Sequence, residues 1–198
     1  TASDAIRRAR SVDLALHVSI GLGDPPSPFT DYEAIIATGS TRAPEDQWLG
    51  GPMFYTSGTT GRPKGVVGAL TGGAELPSEI MTLVAAGATQ YARPGGRSLL
   101  CGPIYHSAQW AFTFLPLING SSVVMQQSSD PAETLTLIDR HRVTNVHLVP
   151  TQMKRLLALP EATRRQFVGT SLEAAWHGAA PCPPDGKRRL IDWWGPIV

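Results

Sequence analysis

Short apolar runs alternate with longer amphipathic segments along most of this chain, and that alternation limits the folds open to it. Ser98-Leu99-Leu100-Cys101, Ser122 to Gln126, Val146 with Leu148, and Leu172 to Trp176 each read as a strand. Between them the pattern predicts a buried helix over Ala108 to Leu117, a helix from Asp130 to about Arg142, and a helix capped by Thr151 with Met153, Leu156 and Leu157 on one side. Asp130-Pro131-Ala132-Glu133 holds each part of a helix start: Asp as N-cap, Pro in the first turn and Glu at the third position. Strands separated by helices of about ten residues argue for βαβ units. The expected fold is α/β, a largely parallel sheet with flanking helices.

The leading part follows the same grammar. Val12, Leu14, Leu16 and Val18 alternate with Asp13, Ala15, His17 and Ser19, the period-two signature of a half-buried strand, which Gly23-Asp24-Pro25-Pro26-Ser27-Pro28 ends. Thr30 with Glu33 three residues later forms a capping box for a short helix over Ala34 to Ala37, stopped by Gly39. Residues 42–49 read as an exposed loop, Pro52-Met53-Phe54-Tyr55 as a strand, and Glu75 to Ala88 as helical.

Composition removes several functions. Seventeen basic against 16 acidic residues leave a net charge of +1, without the basic stripe that nucleic-acid binding needs. The longest apolar stretch, Trp110 to Ile118, contains Thr113 and Pro116 and is about half the length that crosses a bilayer. Cys101 and Cys182 lack zinc-site spacing and do not make a disulfide framework, so a reducing, cytoplasmic setting is expected. The chain starts at Thr1 and ends in an apolar segment, and it reads as a piece of something longer.

The most informative segment is Tyr55-Thr56-Ser57-Gly58-Thr59-Thr60-Gly61-Arg62-Pro63-Lys64-Gly65. Its glycines permit positive φ and bring bare backbone N–H groups close to an anion. Thr56, Ser57, Thr59 and Thr60 add neutral donors, and Lys64 adds a mobile cation suited to a polyphosphate. The Walker spacing is missing, and a β-like Gly65-Val66-Val67 follows instead of a helix. Two readings stand at this level: a distinct phosphate loop, or a Ser/Thr/Gly-rich hairpin.

The string resembles the phosphate loop of the adenylate-forming superfamily, which includes acyl-CoA synthetases, luciferases and the adenylation domains of peptide synthetases. Pro103-Ile104-Tyr105-His106 resembles its aromatic-His motif, Trp176-His177-Gly178-Ala179-Ala180-Pro181 its Gly-Ala-rich adenine turn, and Val149-Pro150-Thr151 a strand-to-helix junction between them. The resemblance covers Pro52 to Val198. It implies that residues 1–198 form an incomplete large N-terminal domain, with 1–51 a leading strand, helix and loop, 52–198 the phosphate-loop and adenine-turn region, and the small C-terminal domain absent.

By that resemblance, the parent enzyme activates a carboxylic acid with ATP, releases pyrophosphate and passes the acyl group to CoA. Thr56, Ser57, Gly58, Thr59, Thr60, Gly61 and Lys64 would hold the β- and γ-phosphates, with Thr60 and Lys64 acting on the leaving pyrophosphate. Gly178, Ala179 and Ala180 would offer small surface to adenine, and His106 would lie beside the acyl pocket or the thiol entry. No metal ligand is assigned, because the Mg²⁺-linked glutamate of the family is expected beyond Val198. The texture around Trp176 to Pro184 and Ile191 to Pro196 resembles fatty-acid-type acyl-CoA synthetases. Alternatives are a ligase loading a carrier protein, a non-catalytic nucleotide-binding remnant, and a purely structural domain. His106 also reads as a core histidine, Gly178 to Pro181 as an ordinary loop, and Trp110, Phe112 and Phe114 as core packing. The isolated chain is expected not to turn over.

Overall fold

A computed structural model of the chain describes residues 4, 19–42, 45, 53–56, 64–67 and 92–198. The chain divides into two compact units, 1–47 and 48–198. The predicted strand over 12–18 and the predicted helix over 75–88 lie outside the described residues. No helix among the described residues is long and apolar enough to cross a membrane.

In the first unit, β1 (Ile20–Gly21) pairs in parallel with β2 (Thr30–Asp31), which leads into α1 (Tyr32–Thr38). The N-cap of α1 is Asp31 rather than Thr30: its Oδ1 accepts from the Ala34 N–H at 3.0 Å. Thr30 is occupied instead by its strand pairing, its N–H donating to the Ser19 carbonyl at 2.7 Å. Gly39 ends the helix as expected.

The second unit opens with an antiparallel hairpin, β3 (Met53–Thr56) and β4 (Lys64–Val67). Its body is a four-stranded parallel sheet built from β5 (Arg97–Leu100), β6 (Ser122–Met125), β7 (Asn145–Leu148) and β8 (Ala174–His177), in the order β6-β5-β7-β8. The helices are α2 (Ser107–Ile118), α3 (Pro131–His141), α4 (Pro150–Leu157), α5 (Glu161–Gln166) and α6 (Pro184–Trp194). The α/β architecture with a parallel sheet and flanking helices is therefore the one the alternation predicts.

Side-chain alternation along the strands separates two faces. On one, Leu99, Cys101, Val146, Leu148 and Ala175 meet Leu135 and Ile138 of α3, Met153, Leu156 and Leu157 of α4, and Leu190 of α6. Ile138, Val143 and Leu190 are completely buried there, and burying a side chain of this size contributes about 1.5–3 kcal/mol. The other face mixes polar and apolar side chains and is covered by α2. Asn145 Nδ2 donates to Ser98 Oγ at 2.8 Å, and α2 turns Gln109, Thr113 and Pro116 inward.

Local signals explain where the helices begin. Asp130 Oδ1 accepts from the Glu133 N–H at 2.7 Å with Pro131 in the first turn, and Arg142 closes α3 with a left-handed φ of 51°. In α4 the N-cap is Val149, not Thr151, because Pro150 at the first helical position starts the helix earlier and Gln152 Oε1 accepts from the Val149 N–H at 2.9 Å. Helix α2 differs from its prediction in kind. Its buried residues include Gln109 and Thr113, while Phe114 and Leu117 are exposed. Strand β8 starts two residues later than the pattern suggests, because Gly169 and Leu172 are engaged in a turn, the Leu172 N–H donating to the Gly169 carbonyl at 3.0 Å.

Candidate functional site

The hairpin fixes the ends of the phosphate-loop string. Met53 faces Val67, Phe54 faces Val66, Tyr55 faces Gly65, and the backbones of Thr56 and Lys64 pair at its open end. A Cβ on Gly65 would come within 2.8 Å of Met53 Sδ, so a larger residue there would push the exposed Met53 side chain aside. Ser57, Gly58, Thr59, Thr60 and Gly61 lie outside the described residues. The Phe54 ring meets Trp110 of α2 edge-on at 5.7 Å, and Trp110 stacks on Phe114 at 4.8 Å. These contacts seat the hairpin against the first turns of α2, which begins beyond the carboxyl end of β5.

Three stretches singled out in the sequence converge at the carboxyl edge of the sheet. Pro103 to His106 follows β5, Val149-Pro150-Thr151 follows β7, and Gly178 to Ala180 follows β8. Because β7 lies between β5 and β8, the three are neighbours in space. His106 sits at the N-cap of α2; its N–H donates to the Pro103 carbonyl at 3.1 Å, and its carbonyl accepts from the Trp110 N–H at 2.9 Å. Its ring is exposed, 4.8 Å from that of Tyr105, so His106 is not a core histidine.

The Gly178 N–H donates to the Leu148 carbonyl at 3.3 Å, carrying the ladder one residue past β8. Ala179 then adopts a left-handed φ of 64°, uncommon for a residue with a Cβ, and both Ala179 and Ala180 are exposed. This turn is a specific backbone shape, not a slack connection.

Two residues of this edge escaped the motif reading. Gln152 Nε2 donates to the Cys101 carbonyl at 2.7 Å while its oxygen holds Val149, tying the ends of β5 and β7 together. His147 is 3% exposed and stacks on Phe112 at 4.4 Å; its Nδ1 lies 3.1 Å from Gln109 Nε2. Burial lowers its pKa, and the charge of His177 lowers it further. The polar alternation of Asn145 and His147 against Val146 and Leu148 was the available signal. Phe112 stacks on His147 on this side of the sheet, Trp110 meets Phe54 and Phe114, and neither belongs to the main apolar core.

Comparison with known proteins draws on the same stretches. The family model described as AMP-binding enzyme matches residues 41–198. The medium/long-chain-fatty-acid–CoA ligase FadD8 of Mycobacterium tuberculosis is 31% identical over 186 residues, which are 93% of this chain and 30% of the relative. A feruloyl-CoA synthase of an Amycolatopsis species is 34% identical over 141 residues, covering 71% of this chain and 27% of that protein. The amide bond synthetase McbA of Marinactinospora thermotolerans superposes with a TM-score of 0.66 at 25% identity, over 98% of this chain and 36% of the other. The chain thus spans 30% or less of the length of these curated relatives. With a hairpin at the ends of the phosphate-loop string, the motif segments gathered at one sheet edge and a family match over most of its length, the chain belongs to the AMP-binding enzyme family.

Proposed function

We propose that this chain supplies the nucleotide-handling part of an ATP-dependent acid–thiol ligase. A carboxylate oxygen attacks the α-phosphorus of ATP, the bond to pyrophosphate breaks, and an acyl-adenylate forms. The thiol of CoA, losing its proton, then attacks the acyl carbonyl and AMP leaves. Thr56, Ser57, Gly58, Thr59, Thr60, Gly61 and Lys64 bind the β- and γ-phosphates, and Thr60 and Lys64 stabilise the charge that collects on pyrophosphate as it departs. Gly178, Ala179 and Ala180 take the adenine, and His106 lies beside the acid and the incoming thiol.

The single observation that carries this reading is the hairpin whose open end pairs Thr56 with Lys64 and whose Phe54 rests on Trp110. It supports a loop held at both ends beside the helix that His106 caps. Among the described residues no group of three or more His, Cys, Asp or Glu is placed to hold a metal ion. Mg²⁺ enters this proposal with ATP. An acid with an apolar body of the fatty type, CoA as acceptor and a cytoplasmic setting complete the proposal, in keeping with the ligases it is similar to and with two free cysteines.

Calorimetric titration of ATP and Mg²⁺ into the chain tests the loop. Binding by the wild type and its loss in a folded Thr60→Ala, Lys64→Ala variant is the expected result. Equal binding by both proteins would remove the loop from the proposal.

A further inference from the structure

Away from the motif turns, three helices enclose a cavity of about 510 Å³, within the range of roughly 300–1,000 Å³ that holds a small molecule. Helices α4 and α6 both begin at the carboxyl edge of the sheet, one after β7 and the other after the Gly178 turn, and run away from it. The cavity lies toward their far ends: it is lined by Leu157, the last residue of α4, by α5, and by the second half of α6. Phe167, at the C-cap of α5, meets Trp193 of α6 edge-on at 5.7 Å, so two aromatic rings and Leu157 make an apolar wall.

Charged groups ring that wall. Arg165 pairs with Glu161 one turn away on α5. Arg164 Nε donates to the Leu159 carbonyl at 3.2 Å and its Cζ lies 5.8 Å from the centre of the Trp193 ring, which leaves its two terminal NH₂ groups without a hydrogen-bond partner among the described residues. Arg189 and Asp192 of α6 are exposed and have no ion-pair partner among the described residues. Three guanidinium groups thus stand against two carboxylates, a surplus of one positive charge. A second cavity, of about 100 Å³, shares Phe167 and Trp193 and is also lined by Trp194, whose Nε1 is buried without a partner. A buried donor left unpaired costs free energy, so the described residues leave this aromatic corner incomplete.

We propose that the larger cavity is a second ligand site, distinct from the nucleotide and acid sites proposed above, and that it takes a small aromatic monoanion. The flat body of the ligand packs on Leu157, Phe167 and Trp193, and its anionic group accepts from the guanidinium groups of Arg164 and Arg189. One surplus cation matches one negative charge. A triphosphate would set several negative charges beside Glu161 and Asp192, which disfavours a nucleotide here. A neutral hydrocarbon would use the apolar wall and leave the two guanidinium groups unmatched. This inference stands apart from the acid-activating reading.

The probe is naphthalene-2-sulfonate, a monoanion that is not a carboxylic acid and so is no substrate for the reaction proposed above. Titrated into the chain, it is expected to shift the assigned indole N–H signals of Trp193 and Trp194 in nitrogen–proton correlation spectra and to leave those of Trp110 and Trp176 in place. Arg189→Glu, a change at an exposed position, is expected to weaken binding about three- to five-fold, and Asp192→Asn to tighten it by a smaller factor. The neutral 2-methylnaphthalene is expected to bind more weakly than the sulfonate. No saturable binding, shifts centred on Trp110 or Trp176, equal affinity for the neutral compound, unchanged affinity in Arg189→Glu, or no gain in Asp192→Asn would overturn the proposal. The Thr60→Ala, Lys64→Ala variant should bind the sulfonate as the wild type does, so failure of the nucleotide reading and failure of this one are read separately.

Discussion

The side-chain amide of Gln152 donates to the carbonyl of Cys101 at 2.7 Å, across 51 residues of sequence. Its oxygen meanwhile accepts from the Val149 N–H at 2.9 Å, and its nitrogen reaches Ser129 Oγ at 3.3 Å. One side chain therefore replaces the ladder where two neighbouring strands end. Gln152→Leu leaves the Cys101 carbonyl and the Val149 N–H without these partners. The expected loss is about 1–3 kcal/mol of unfolding free energy, read from urea denaturation. Unchanged stability would mean that water serves these groups equally well.

Cys101 and Cys182 will differ sharply toward thiol reagents. Burial pushes the Cys101 thiol from its ordinary 9.0 up to about 12, with hydrogen bonds opposing the shift only in part, and its Sγ–H donates to the His147 carbonyl at 3.2 Å. In the folded protein at neutral pH, alkylation should therefore label Cys182 and spare Cys101, as mass spectrometry of the peptides would show. The sign of the linkage follows. The unfolded thiol ionises near 9 and the folded one near 12, so this stabilisation is whole below pH 9 and is lost as pH rises toward 12.

His147 produces the opposite limb. Its folded pKa lies below the ordinary 6.5 because of burial first and His177 second. The unfolded chain takes up this proton before the folded one does, so stability falls as pH drops below about 6.5. Facing its ring is His177 from β8, while Gln109 and Phe112 of α2 carry no charge. Chemical denaturation at successive pH values should show this limb in the wild type and a flatter one in His147→Gln. An identical acid limb in both would place its origin elsewhere.

Ala179 carries the cost of a left-handed backbone at φ 64°. Ala179→Gly should relieve about 1 kcal/mol of that strain, offset in part by the freer unfolded chain, whereas Ala179→Val should destabilise by about 1–3 kcal/mol. Thermal melts of the two variants decide it. Because the position is exposed, a difference between them cannot come from lost core packing.

Much of this arrangement was legible in the residues, and the exceptions have a common cause. Elements bounded by their own chemistry read correctly: Asp130 with Pro131 starts α3, Gly39 ends α1, and the apolar runs around Leu99, Val146 and Ala175 form the sheet. Thr30 and Thr151 each had a competent hydroxyl and lost the cap to a neighbour, Asp31 with its carboxylate and Val149 ahead of a proline. The motif stretches of Pro103 to His106 and Gly178 to Ala180 meet at one edge because strand order brings them there, which no linear spacing records. Alternation along β7 marked His147 as one of two polar residues, but its pairing with Gln109, 38 residues away, exists only once the sheet packs on α2.

The order β6-β5-β7-β8 has one more effect on the chemistry at that edge. After β5 the chain turns toward β6, and after β7 it leads on toward β8, so the connections diverge at the carboxyl ends of β5 and β7. This is the topological switch point at which open parallel sheets receive their ligands. Residues 102–106 follow β5 and residues 149–152 follow β7, so the two sides of that point come from separate connections. Each connection can change its side chains while the pairing of β5 with β7 stays as it is, so the framework leaves that edge free to vary.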